Sequence, residues 1–238
     1  KHENLRFLEG FSLSQKVTAT QNIQKAASQK EFLILASPSL YLAKTVEQIL
    51  PVPSIADGST CIGILTKGFV PSPNGPKLIT ETLEEVLPSS YKKALVYISG
   101  PSHAEEVAMG KLTGLIAASE NPKNTIRFRE LLKTQSLMVF SSLDVIGVQI
   151  CAAAKNVIAV VFGCLDAVAQ NSDFFGDNTE SLLLAAGLNE IQTLGFALGA
   201  THAETFTSIA GVGDLDVTCR SKYGRNRRFG HDIINKKI

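Results

Sequence analysis

Few features of this chain point toward metals, nucleic acids or membranes. Its four cysteines (Cys61, Cys151, Cys164 and Cys219) form no CxxC pair. No histidine stands at metal-ligand spacing from any of them, which excludes the common zinc motifs and a Cys–His nucleophile pair. They read as buried free thiols of a reducing compartment. Charge of one sign is missing too. Lys and Arg number 23 against 22 Asp and Glu, so a net charge of +1 gives no global reason to expect nucleic acid or an anionic membrane as partner. Apolar runs such as residues 157–164 fall short of a membrane span, so none is expected. The opening KHENLRFLEG is neither a secretion signal nor a transit peptide, and it lacks methionine, which reads as a processed or truncated piece. With 45% apolar and 19% charged residues the composition is globular, and 238 residues suit one large domain or two modest ones.

The first half alternates between two periods. Residues 32–36 (FLILA), 61–65 (CIGIL), 95–99 (LVYIS), 112–119 and 137–141 read as short apolar strands. Between them, residues 39–50, 77–87, 104–109 and 124–133 carry helical spacing. Such alternation predicts a parallel, doubly wound sheet that binds ligands at the carboxyl ends of its strands. Those ends carry Ser37-Pro38-Ser39, Thr66-Lys67-Gly68 and Ser99-Gly100-Pro101-Ser102. Turns use Gly, Pro and Ser in any case. A lysine at the tip of an apolar strand is less expected, which makes Lys67 the first functional candidate.

From Asp144 onward the pattern is helical, so a boundary near Leu143 divides the chain into residues 1–143 and 144–238. Asp144 can cap a helix running to about Ala169, and Asn178 or Thr179 can start a second that ends at Gly199. Thr201, with Glu204 at capping-box distance, starts a third. Gly211-Val212-Gly213-Asp214 breaks the pattern, Asp214 can cap the next helix, and residues 220–238 form a basic helical stretch. The fold expected is an incomplete Rossmann-type α/β domain followed by an all-α domain.

Three features could carry chemistry. Lys155 lies in CAAAKNVIAVV, where loss of water would lower its pKa and suit it to acid–base work, unless it snorkels to the surface. The run RSKYGRNRRFG, residues 220–230, concentrates basic residues in a chain that is otherwise balanced. Guanidinium forks match phosphate oxygens, although a solvated basic face is the usual origin of such a run. The turn GVGD, residues 211–214, is a weak candidate for a phosphate cradle. Together they suggest a pocket between sheet and helices where a buried lysine faces a small phosphorylated ligand.

The segments ILTKG, ISGPSHAEEVAMG, DVIGVQICAAAKNVIAV, FGDNTESLLLAAGLNEI, IAGVGDLDVTC and GRNRRFG occur one after another in that order. In order and spacing the chain resembles NAD(P)-dependent glycerol-3-phosphate dehydrogenases, the bacterial form more than the animal one, from about Asn4 to Gly230. The resemblance implies hydride transfer between NAD or NADP and the pair dihydroxyacetone phosphate and sn-glycerol 3-phosphate, a reaction that feeds glycerophospholipid synthesis. It also implies a cytoplasmic homodimer acting on a small molecule. By the same resemblance Lys155 is the catalytic proton carrier and also touches substrate. Lys67 meets substrate and cofactor, Gly100 and Ser102 meet substrate, and Ala104 meets cofactor. Asp214 and Thr218 lie at the substrate hydroxyls. Arg225 and Asn226 hold the phosphate, Arg225 also touching cofactor, while Arg227 and Arg228 set the local field.

Three departures from the family pattern stand out. Gly224 replaces the serine usual before the Arg-Asn pair, and Ala154 replaces the leucine before the Lys-Asn pair. No GxGxxG occurs before Phe32, although the resemblance places a pyrophosphate-gripping βαβ unit there. The family's last helices, after residue 230, are also expected to be missing, so this segment should bind nicotinamide cofactor poorly. Two other readings stay in view: a catalytically silent relative serving as a binding module, and a β-hydroxy-acid dehydrogenase. Retention of Lys67, Lys155, Asp214 and Arg225 together speaks against the first, and the GRNRRFG run against the second.

Overall fold

The computed structural model describes residues 2–221 and 224–236. Lys222 and Tyr223 of the basic run, and the last two residues of the expected terminal helix, lie outside them. The chain opens with an antiparallel hairpin of β1 (Glu3–Asn4) and β2 (Leu8–Ser12), followed by the short helix α1 (Ile23–Ala27). The hydrophobic pattern announces neither element.

A five-stranded sheet comes next, with strands in sequence order across it: β3 (Phe32–Leu35), β4 (Cys61–Ile64), β5 (Val96–Ser99), β6 (Thr113–Ala118) and β7 (Leu137–Ser142). Every residue of β4 and β5 is buried, which explains their unbroken apolar runs: helices cover both faces. On one face lie α2 (Ser39–Glu47), α3 (Pro53–Ala56) and α4 (Ile79–Val86), which bring Leu42, Val46, Ile55 and Leu83 into one core. On the other lies α6 (Pro122–Leu132), whose Phe128 packs with Val96 and Ile98. Asn121 caps α6 by accepting from the Lys123 and Asn124 amides, with Pro122 in the first turn.

The sheet is not wholly parallel, which corrects the sequence reading. Strand β6 runs antiparallel to β5, while the other pairs are parallel. The link between them holds only the short helix α5 (Ala104–Ala108), none of whose residues is buried. An exposed turn of helix cannot make a covered crossover, so the chain doubles back instead. Gly100 starts that reversal with φ at +141°, and a Cβ there would stand 2.7 Å from the Gly114 carbonyl oxygen.

The remaining described residues form helices and their connections: α7 (Val145–Ala169), α8 (Asp177–Ala197), α9 (Glu204–Thr207), a π-helical turn (Ile209–Gly213), α10 (Asp214–Arg220) and α11 (Arg225–Ile234). Asp144 caps α7 as expected, accepting from the Gly147 amide at 3.0 Å. The same carboxylate accepts from the Thr205 hydroxyl at 2.7 Å and the Thr201 amide at 3.2 Å, which ties α9 to the start of α7. Contrary to what run lengths suggest, α7 is long and apolar enough to cross a membrane. Most of its apolar surface is buried between the sheet and the other helices.

Candidate active site

The long helix α7 leaves the sheet carrying Lys155, and the π-helical turn before α10 aims Asp214 at it. Lys155 is 6% exposed and Asp214 1%. The Lys155 ammonium donates to Asp214 Oδ1 at 2.5 Å, and Lys67, from the turn after β4, donates to Asp214 Oδ2 at 3.0 Å. The Ser99 hydroxyl, at the end of β5, reaches the same Oδ2 at 3.3 Å. Three segments far apart in sequence thus converge on one carboxylate. Lys155 does not snorkel.

Burial governs the charges here. It works to raise the Asp214 carboxyl, but Lys67 and Lys155 outweigh it and hold the group below the ordinary carboxylate range. Burial and then the positive charge of Lys67 push Lys155 down to about 8, against the pull of Asp214. A lysine with that pKa exchanges a proton near neutral pH.

The sequence pattern makes Asp214 a cap for α10. Instead it is the helix's first residue, and its side chain belongs to the two lysines, because a π-helical turn re-aims the residue after it. The first glycine of the GVGD turn has a structural reason of its own. A Cβ on Gly211 would stand 2.0 Å from the Phe206 carbonyl oxygen, so the glycine serves a close backbone contact with α9. Thr218 lies one turn along α10, its hydroxyl donating to the Asp214 carbonyl at 2.6 Å.

A cavity of about 900 Å³ is lined among others by His103, Glu105, Thr218, Arg220, Arg225 and Asn226; Lys67, Ser99, Lys155 and Asp214 do not line it, and Thr218 links it to the cluster. Asn226 donates to the Asn156 side chain at 2.7 Å, joining the residue after Lys155 to the basic helix. Arg225 is exposed and has no ion pair among the described residues. Gly100 sits buried at the reversal after Ser99, with the exposed Ser102 donating to its carbonyl at 3.2 Å. Ala104, exposed at the start of α5, is not brought into the cluster.

Arg227 corrects the sequence reading. It is no field-setting surface charge but is 4% exposed. Its fork grips Asp166 at 2.5 and 2.6 Å and donates to the Cys219 carbonyl at 2.5 Å, with Glu180 at 3.3 Å. The guanidinium therefore pins α11 to α7, α8 and α10, in the planar geometry that suits arginine. Arg228 stays exposed. Sequence reasoning also missed Ser99 as an Asp214 partner, although its place at the end of a buried strand was the available signal.

Ser37 Oγ is buried without a partner among the described residues, just after β3, at the carboxyl edge where such sheets take dinucleotides.

Comparison with known proteins shows the family. The model for the NAD-dependent glycerol-3-phosphate dehydrogenase N-terminus matches residues 1–125, and that for its C-terminus matches residues 144–238. A glycerol-3-phosphate dehydrogenase [NAD(P)+] of Treponema denticola is 61% identical over the whole chain, which spans 68% of that relative. One from Bacillus velezensis is 36% identical over 97% of the chain and 64% of its own length. The crystal structure of glycerol-3-phosphate dehydrogenase from Coxiella burnetii superposes with a TM-score of 0.85 at 28% identity, covering 98% of this chain and 67% of that one. This chain belongs to the NAD-dependent glycerol-3-phosphate dehydrogenase family.

Proposed function

We propose that residues 1–143 form the cofactor side and residues 144–238 the substrate side of an oxidoreductase that interconverts dihydroxyacetone phosphate and sn-glycerol 3-phosphate. The observation that carries this reading is the buried Lys155–Asp214–Lys67 cluster, tied through Thr218 and the Asn226–Asn156 hydrogen bond to a cavity lined by Thr218, Arg225 and Asn226. The substrate phosphate lies against Arg225 and Asn226, and Asn156 holds the Asn226 amide in place. Gly100 and Ser102 border the carbon chain, with Ala104 and Arg225 toward the cofactor. A bound NAD or NADP supplies or accepts the hydride. Lys155 gives its proton to the C2 oxygen as negative charge develops there, and takes it back in the reverse direction. Asp214 and Lys67 fix the ammonium in position, and Thr218 steadies the backbone that carries Asp214. The working enzyme is read as a cytoplasmic homodimer. Exposed apolar side chains such as Phe174 and Leu182 support the presence of an interface.

The pH dependence tests the proton carrier directly. Dihydroxyacetone phosphate reduction needs the ammonium, so its kcat/KM is expected to fall as pH rises through about 8. Glycerol 3-phosphate oxidation needs the neutral amine and should rise through the same pH. Profiles are measured on the enzyme at the full length of its relatives. A flat pair of profiles around pH 8 would rule Lys155 out.

The phosphate assignment is tested by two exchanges. Arg225→Lys loses the planar fork, so it should raise the KM for dihydroxyacetone phosphate at least tenfold, about the 1.4 kcal/mol that one charge-assisted hydrogen bond is worth. Arg228→Lys keeps an exposed charge and should change little. Inorganic phosphate should compete with substrate in the wild type and lose that effect in the Arg225 variant. If Arg228→Lys were the damaged variant, the phosphate would bind elsewhere on this stretch.

A further inference from the structure

Tyr97 and Ser37 are the two buried side chains whose polar atoms find no partner among the described residues. Ser37 lies where the cofactor is expected, so the assigned function accounts for it. Tyr97 has no such account. Its side chain is 0% exposed, in the middle of β5, where phenylalanine would fill the same space without desolvating a hydroxyl.

The pleat shows where that hydroxyl belongs. Val96 and Ile98 point into the core under α6, whereas Tyr97 points to the opposite face. It shares that core with Val148 and Ala152 of α7 and with Ala210 of the π-helical turn. Ala152 lies about one turn before Lys155, and Ala210 one turn before Asp214. Ser99, on the same face of β5 as Tyr97, touches Asp214 directly. The Tyr97 ring therefore underlies the acid–base cluster. Burial, and then the negative charge of Asp214, raises the Tyr97 hydroxyl, so it stays a neutral donor at working pH.

We propose that Tyr97 is a positioning residue for the Lys155–Asp214 pair, its hydroxyl donating to the Asp214 carboxylate through one internal water. Buried waters commonly settle on polar groups that the chain leaves unpaired. A donor on Asp214 draws carboxylate charge away from Lys155 and so favours the neutral amine. The inference rests on Lys155 being the proton carrier.

The other titratable and charged groups around this point are Lys67 after β4, Asp144 and Cys151 at α7, and Cys219 on α10, with Arg227 of α11 committed to Asp166. Burial pushes both thiols up to about 12, well above Lys155 at about 8.

The experiment compares Tyr97→Phe with wild type in the full-length enzyme through kcat/KM profiles for dihydroxyacetone phosphate reduction. Without the donor, Asp214 holds Lys155 more strongly, so the basic limb should move up by about half a pH unit or more. KM at neutral pH should change little. A wild-type limb near 8 that Tyr97→Phe leaves unmoved overturns the role of Tyr97 alone. A wild type with no such limb overturns the proton-carrier reading, and this inference with it. Should the variant fold poorly, the wild-type Tyr97 13Cζ resonance decides. An inflection near pH 8 supports the coupling, and a flat trace across that range overturns it.

Discussion

Replacing Lys155 by alanine is expected to lower turnover by about 10²–10⁴, the usual contribution of a general acid–base group, while dihydroxyacetone phosphate still binds. Arg225 and Asn226, the proposed phosphate ligands, lie on another helix and should be untouched by the change. The fold should survive as well, because Lys67 continues to balance the buried Asp214. Lys155→Arg separates charge from proton transfer. Arginine keeps the positive charge but cannot give up its proton at working pH, so it should be nearly as slow as the alanine variant. Steady-state turnover on the full-length enzyme, with substrate affinity measured separately, checks both. An alanine variant within a few-fold of wild type would remove Lys155 from the chemistry.

The second large effect is expected from a glycine with no chemistry of its own. Helices α7 and α11 cross with their backbones in contact at Gly163 and Gly230. A Cβ on Gly163 would stand 1.8 Å from the Arg227 carbonyl oxygen, and one on Gly230 would stand 1.9 Å from that of Val160. Neither neighbour is the tip of a side chain that can swing aside, so one helix must move. Gly230→Ala is therefore expected to cost at least the ~3 kcal/mol at the top of the usual range for overpacking. By the scaling for chains of this size, that lowers the thermal midpoint by roughly 6–12 °C. The damage should reach the site, because the displaced helix also carries Arg225 and Asn226. KM for dihydroxyacetone phosphate should rise even where the variant remains folded. Phe229→Ala, at the exposed neighbouring position, serves as the control and should leave both quantities close to wild type. A Gly230→Ala enzyme with an unchanged melting point would show that the helices can separate at no cost.

Much of this architecture comes from local pattern. Unbroken apolar runs mark strands buried on both faces, and β4 and β5 are such strands. Asp144 before an apolar helix reads as a cap and is one. Lys155 in a run of alanine, valine and isoleucine reads as a candidate desolvated amine because nearly every neighbour on the helix is apolar, and its burial in the packed structure decides against snorkelling. Motif order carried the family, while the meeting of the Lys-Asn and Arg-Asn segments through Asn156 and Asn226 came from the structure.

The features hidden from the sequence depend on distance in space. The direction of β6 rests on whether its connection can cover the sheet, and the strand's own residues read the same either way. Asp214 looks like a cap in one dimension. It becomes the hub of two lysines only because a π-helical turn rotates it toward residues 59 and 147 positions away. Arg227 and Arg228 are indistinguishable as letters in a basic run. The 3.6-residue period sends one inward to Asp166 and leaves the other in water. Composition and spacing determined which chemical groups this chain holds, whereas helix rotation and the approach of separate segments decided which of its charges are buried together.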